Sequence, residues 1–332
     1  MRRPLLSLML LSMGVGGFAA LVGAQATATH LNPMIDLLLQ KKPVFGLYAP
    51  SNRRPPTAPG TVAPAVQLPP RTPAELAQDA LGVATSDFIF DGSMEGNFDR
   101  GYAAYGEFVK GIAQSGLFTR TPTHRLHHPL IVKAPEIAPN PTLAASQISR
   151  QLDLGVSGVM FVSAESAQEV KTGLAAMRFA SKGGTRPDSV GSAPAVWGLS
   201  EADYKAKADL WPLNPQGELI NWTIVESREG LARVREIAAV PGIGVLWPGA
   251  GTLRQVFSTT DDSGKRVFDE AGWEAAIQQV LAACKEFKVA CGYPASANDI
   301  ETRMTQGFSV FVMGWGEPGL KAIDLGRKAG GR

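Results

Sequence analysis

Several apolar runs in this chain stop on a residue that could do chemistry. LINWTIV ends on Glu226, and IGVLWP ends in the turn Gly249-Ala250-Gly251-Thr252. DFIFD closes on Asp91, with Ser93, Glu95 and Asn97 just beyond it. PLIVKA carries Lys133, with Glu136 close behind, and GVMFVS stops on Ser163. Carboxylates converging with one lysine suit a divalent metal together with an anionic ligand. Lys133 has a chemical reading of its own, as a Schiff-base amine or as a cation facing a carboxylate or a developing enolate. Against these stand plainer readings. Lys133 could pair with a neighbouring acid, and the carboxylates could be solvated or cap the next helix. Glu226 is the hardest to dismiss this way, because it ends a strand-length apolar run. No Ser–His–Asp arrangement is visible. Of the histidines His30, His124, His127 and His128, the last three precede the third strand, opposite the chemical face, and are expected on the surface.

These residues need elements to place them. Eight short apolar, β-branched or aromatic runs can be read: 44–49, 87–91, 129–134, 158–163, a fifth ending at Glu226, a sixth ending at Pro248, 289–293 and 308–313. Nearly all are followed by a helical pattern. The unit from Glu218 to Leu253, with a short helical stretch between two runs, is the clearest βαβ signal. Strands buried on both faces and joined by helices imply parallel pairing, and eight such units predict an α/β protein, a (β/α)8 TIM barrel. An open doubly wound sheet is the other candidate. It would favour a glycine-rich turn after the first strand, where this chain has Ala49-Pro50. In a barrel the residues after each strand share one face, so the list above describes one site.

The chain has 332 residues and a net charge of +2, with acids and bases interspersed. That is ample for a large core. It gives no footprint for nucleic acid and no basic run for an anionic membrane. Residues 1–26 carry Arg2 and Arg3, an apolar run and Ala24-Gln25-Ala26, the pattern of a cleaved secretory signal. No later stretch is long and apolar enough to span a bilayer. The expectation is an exported protein, periplasmic or secreted, whose residues 27–332 form one barrel domain. A Pro-rich insertion at 50–73 is read either as an arm across the functional face or as a disordered insertion. A second, irregular insertion spans 181–216, of a size that is usually functional or an oligomer contact. Cys284 and Cys291 fall on a helix and on the following strand. A helix on a sheet tends to hold such a pair apart, so two separate buried thiols are expected rather than a disulfide.

The segments DFIFDGSMEGNFD, PLIVKAPEIAP, QLDLGVSGVMFVSAESAQEVKTGLAAMRF and INWTIVESREGLARVREIAAVPGIGVLWPGAGTL, in this order, resemble the HpcH/HpaI aldolase and citrate lyase β-subunit family. The resemblance implies a phosphoenolpyruvate-type barrel and a class II pyruvate aldolase. Such an enzyme makes or cleaves 4-hydroxy-2-oxo acids, with Mg2+, Mn2+ or Co2+ stabilising an enolate. Its partners would be a 2-oxo acid, an aldehyde and further copies of the chain, as a trimer or hexamer. Carried over by position, Glu226 is the metal-binding glutamate. Lys133 stands where the family has a substrate-polarising arginine, which keeps the charge and loses the bidentate fork. The second metal carboxylate falls at or beside Gly251, which has none. The N–H groups of Ala250 and Gly251 would hold the substrate carboxylate, with Ser163 nearby. The catalytic histidine falls on Gly96 or Met94, so Glu95 or Asp91 would have to supply the base or a metal ligand. Losing such a base costs about 10²–10⁴-fold. The rival expectation is therefore a catalytically lapsed barrel that binds a small carboxylic acid or a protein partner.

Overall fold

The computed structural model describes residues 30–52, 69–115, 119–120 and 124–332. The expected signal segment 1–26 and residues 53–68 of the Pro-rich stretch lie outside them. Eight parallel strands close a barrel. They are β1 (Val44–Tyr48), β2 (Phe88–Asp91), β3 (Leu130–Lys133), β4 (Gly158–Phe161), β5 (Leu219–Val225), β6 (Ile243–Pro248), β7 (Ala290–Pro294) and β8 (Val310–Met313). Each pairs with the next, and β8 returns to β1 with Val44 beside Val310 and Leu47 beside Met313. The eight expected runs are these eight strands, with ends shifted by at most two residues, as hydrogen-bond assignment commonly shifts them.

Alternation along each strand separates two cores. Inside the barrel lie Phe88, Phe90, Ile131, Met160, Trp222 and Trp247 with their aliphatic neighbours. Phe90, Trp222 and Trp247 stack through the interior, with ring centroids 5.9 Å and 5.4 Å apart. Rings this large fit because neighbouring strands offer glycine: a Cβ at Gly292 would lie 1.8 Å from the Trp247 ring, and one at Gly46 2.3 Å from the Phe88 ring. Outside the barrel, Phe45, Ile89, Val132, Phe161 and Phe311 pack against the helices.

Helices fill the crossovers, and their starts are written in the sequence. The helix α1 (Pro33–Leu39) begins at Asn32 and lays Met34 across the bottom of the interior. Next, α2 (Pro73–Gly82) opens with a capping box between Thr72 and Glu75. Asn97 and Asn140 cap α3 (Phe98–Gln114) and α4 (Pro141–Asp153), each accepting a backbone N–H three residues on. Such caps satisfy N–H groups that the helix itself cannot. After β4 comes α5 (Ala167–Met177), capped by Ser166.

Three local expectations need correction. Segment 181–216, expected to be irregular, contains α6 (Ala193–Trp197), α7 (Glu201–Lys207) and a two-residue strand, Leu210–Trp211, beside β5. It holds itself in place through polar contacts from buried side chains. Trp197 Nε1 donates to the Gly155 carbonyl at 2.7 Å, and the buried Arg186 pairs with Asp153 at 2.8 Å. The histidines before β3 are not simply surface groups. His128 is 1% exposed, with Nε2 3.0 Å from the Val83 carbonyl, because the segment runs beneath the end of α2. His30 is buried as well. Cys284 and Cys291 form a disulfide, with Cα atoms 5.7 Å apart. The last turn of the helix ending at Phe287 reverses through the left-handed Lys288 (φ 56°) straight into β7. The two cysteines are thereby brought face to face.

Candidate active site

The site is built where the strands end. A cavity of about 220 Å³ opens at the C-terminal mouth of the barrel. Its floor is the top interior layer: Phe90, Met160, Ile224, Trp247 and Val312. Its walls carry the polar groups Tyr48, Lys133, Glu226 and the turn Gly249–Thr252. The volume suits a small molecule with an apolar part below and a charged part beside the wall.

Glu226 directly follows β5 and is 5% exposed. Its Oε1 accepts from the Ser163 backbone N–H at 3.0 Å and from the Ser163 hydroxyl at 3.3 Å. Ser163 has φ of 50°, a conformation non-glycine residues seldom take. That turn aims both of its donors at one carboxylate oxygen. From the far side, Gly249 lets the carboxylate lie flat. A Cβ there would sit 2.6 Å from Glu226 Oε2. Beyond Gly249 starts α8 (Ala250–Val256), whose first N–H groups have no acceptor within the helix.

Lys133 ends β3 facing inward, with its ammonium 2.7 Å from Glu95 Oε2. Its own carbonyl accepts from Gln151 Nε2 at 2.8 Å, which fixes the strand end. Lys133 and Tyr48 both run past Gly92. Tyr48, the last residue of β1, stands edge-on to Phe90 with centroids 4.9 Å apart. Partial burial against the cavity wall, with the charges of Glu95 and Asp91 adding to it, pushes the pKa of the phenol up.

Lys133, Glu226, Ala250 and Gly251 therefore meet on one cavity. Glu95 reaches it through Lys133. Asp91 and Ser163 do not line it: Asp91 Oδ1 takes the Ser93 N–H at 2.8 Å, and Ser163 stands behind Glu226. Thr252 belongs to the turn read from the sequence, whereas Tyr48 and Trp247 were not singled out there. Tyr48 was within reach, since it ends a strand just as Lys133 does.

A resident divalent ion needs more than this wall supplies. Glu226 is the sole carboxylate lining the cavity, and a lysine ammonium shares the wall. Among the described residues no three His, Cys, Asp or Glu side chains are grouped to hold a metal ion. A Cβ built at Gly251 meets nothing within 4 Å, so open space stands where a second carboxylate would be. The residues present do not fit a metal held by the protein alone.

Fold and cavity together define a (β/α)8 barrel with a small polar site at its C-terminal mouth, the usual place for catalysis in such barrels. The family model for HpcH/HpaI aldolase/citrate lyase matches residues 123–316, more than half of the chain. The chain belongs to that family. A hydroxypyruvate/pyruvate aldolase from Paraburkholderia phytofirmans is 28% identical over 152 residues, covering 46% of this chain and 55% of that protein. The chain thus spans about half the length of this curated relative. Among solved structures, an HpcH/HpaI aldolase/citrate lyase family protein from Burkholderia cenocepacia superposes with a TM-score of 0.60 at 21% identity, over 85% of this chain and 92% of that one. An HpcH/HpaI aldolase from Desulfitobacterium hafniense gives 0.57 at 14% identity, over 85% and 90%. At such identities the likeness is one of fold.

Proposed function

We propose that this protein is a carbon–carbon lyase acting on a small 2-oxo acid, such as a 4-hydroxy-2-oxo acid. The observation that carries the reading is the cavity wall itself. One ammonium, Lys133, held by Glu95, and the first residues of a helix, Ala250 and Gly251, line the cavity above an apolar floor. The N–H groups would take the substrate carboxylate, and Lys133 would stabilise the negative charge that grows on the ketone oxygen as the enolate forms. Glu226 would accept a hydrogen bond from a substrate hydroxyl. Family membership and the aldolase relative support the reaction class. The expected divalent ion would find Glu226 alone to hold it, so no part of this account depends on one.

The second reading is a lapsed enzyme that binds a small carboxylic acid. The absence of any histidine from the cavity lining and the open space at Gly251 favour it. One experiment separates the two. The purified chain is given pyruvate and a panel of aldehydes, with and without Mn2+, and condensation and loss of the pyruvate methyl protons into D2O are followed by NMR. A lyase exchanges and condenses, and Lys133→Met lowers both by about 10²–10³-fold. Pyruvate binding by calorimetry with neither reaction would establish the binder and retire the lyase.

Export is proposed alongside. Its support is the signal-like pattern of residues 1–26 and the Cys284–Cys291 disulfide, a bond that persists in oxidising compartments.

A further inference from the structure

The lyase reading leaves a proton without a carrier. When an enolate adds to an aldehyde, the aldehyde oxygen must gain a proton, and in the cleavage direction it must lose one. No histidine lines the cavity. The Lys133 ammonium is held by Glu95 at 2.7 Å, and Glu226 is itself an acceptor, tied to Ser163. Thr252 also lines the cavity, but an alcohol is a far weaker acid than a phenol.

We propose that Tyr48 is a catalytic residue of this site, its phenol giving a proton to the aldehyde oxygen as the carbon–carbon bond forms. The proposal rests on the lyase reading and assigns the proton transfer within it. Three observations converge on Tyr48. It lines the cavity above the apolar floor. Among the described residues its hydroxyl makes no hydrogen bond, so the O–H is available to a ligand. Its ring is held edge-on by Phe90, and it is paired to Phe90 in strand register, which limits where the hydroxyl can point. At 40% exposure the phenol also has access to solvent.

The step balances without any other reagent. The enolate π pair becomes the new carbon–carbon bond. The carbonyl π pair moves onto the aldehyde oxygen, which takes the Tyr48 proton. The phenolate, with the Lys133 ammonium on the same wall, regains a proton from water. Cleavage runs the same transfers backwards.

Tyr48→Phe tests this, since it keeps the ring and its packing on Phe90 and deletes the donor. The expected result is a fall in condensation kcat of about 10²-fold or more. Pyruvate KM and methyl proton exchange should stay near wild type, because enolate formation does not use this proton. Preserved exchange also certifies a folded cavity. Condensation at the wild-type rate would overturn the proposal and leave the lyase reading standing. Exchange lost in parallel with condensation would also overturn it, by showing a packing role. A wild-type protein that neither exchanges nor condenses removes the lyase reading, and this proposal with it.

Discussion

Two buried glutamates, one at each end of the barrel, are used in opposite ways. Glu218, 3% exposed, sits at the N-terminal end. Its Oε1 accepts from the Leu31 N–H at 3.0 Å and its Oε2 from the Asn32 N–H at 2.9 Å, with His30 Nδ1 at 3.4 Å. Glu226, 5% exposed, sits at the C-terminal end. Ser163 supplies both hydrogen bonds to its Oε1, and among the described residues no donor reaches its Oε2. The pattern extends around each end. Below, Asp87 is closed by the Arg332 guanidinium at 2.6 and 2.7 Å and by the Phe45 N–H at 2.9 Å. Above, among the described residues, the Tyr48 hydroxyl makes no hydrogen bond, and the first N–H groups of α8 have no acceptor within their helix. Buried polar groups that hold a fold together are satisfied by the fold. Groups that meet a ligand keep bonding capacity in reserve. The lower end is closed by the protein's own contacts, whereas the upper end leaves acceptors and donors unused among the described residues.

Removing the two glutamates is the strongest test of that contrast. Glu218→Ala leaves two buried backbone N–H groups without an acceptor and His30 without its partner. We expect a loss of about 3 kcal/mol in urea denaturation. Glu226→Ala should cost far less, because it frees only the two donors of Ser163, and removing the side chain in front of them opens them to a cavity that water can enter. Equal losses, or a larger one at Glu226, would mean that the upper carboxylate is structural too.

A smaller effect sharpens the account of the upper end. Gly251→Asp puts a second carboxylate into space where a Cβ meets nothing, at a glycine without positive φ. If the incomplete donor set is what leaves the wall unsuited to a resident ion, this variant should bind Mn2+ at least ~10-fold more tightly by calorimetry, since each added carboxylate strengthens an oxygen-ligand site. Unchanged affinity would place the obstacle elsewhere, with the Lys133 charge the first suspect.

The same contrast explains what the sequence could and could not show. Strand number and order were legible because alternation and length are local properties. Every barrel strand is a short apolar run, and the strand-end rule brought Lys133, Glu226, Ala250 and Gly251 to one cavity. Other features were illegible because they depend on approaches between elements. Nothing local reveals that Glu218 caps residues 187 and 186 positions earlier in the chain. The disulfide was missed because the general spacing of helix from sheet was applied to a helix that turns directly into its strand. Segment 181–216 reads as irregular in a linear scan because its short helices are held by contacts such as Trp197 with Gly155. Asp91 passed the strand-end rule, yet its Oδ1 turns to Ser93. A position after a strand fixes a face but not a rotamer.

The smallest predicted effect follows from the lower end being closed by charge. The His30 pKa is raised above its ordinary 6.5 chiefly by the Glu218 carboxylate 3.4 Å from its Nδ1, with Asp36 also raising it, against burial and Lys207, which lower it. A histidine whose pKa is higher folded than unfolded stabilises the fold fully below pH 6.5. That contribution is lost as pH rises through the folded value. The wild type should therefore exceed His30→Gln in urea midpoint by more at about pH 6 than at about pH 8, which brackets the titration of an ordinary histidine. Catalytic or binding behaviour of the upper cavity should not differ between the two proteins at either pH, since His30 lies at the opposite end of the barrel. A gap that widens toward pH 8 would mean that the neutral imidazole is the better partner there, and that Glu218 is held by its two backbone donors alone.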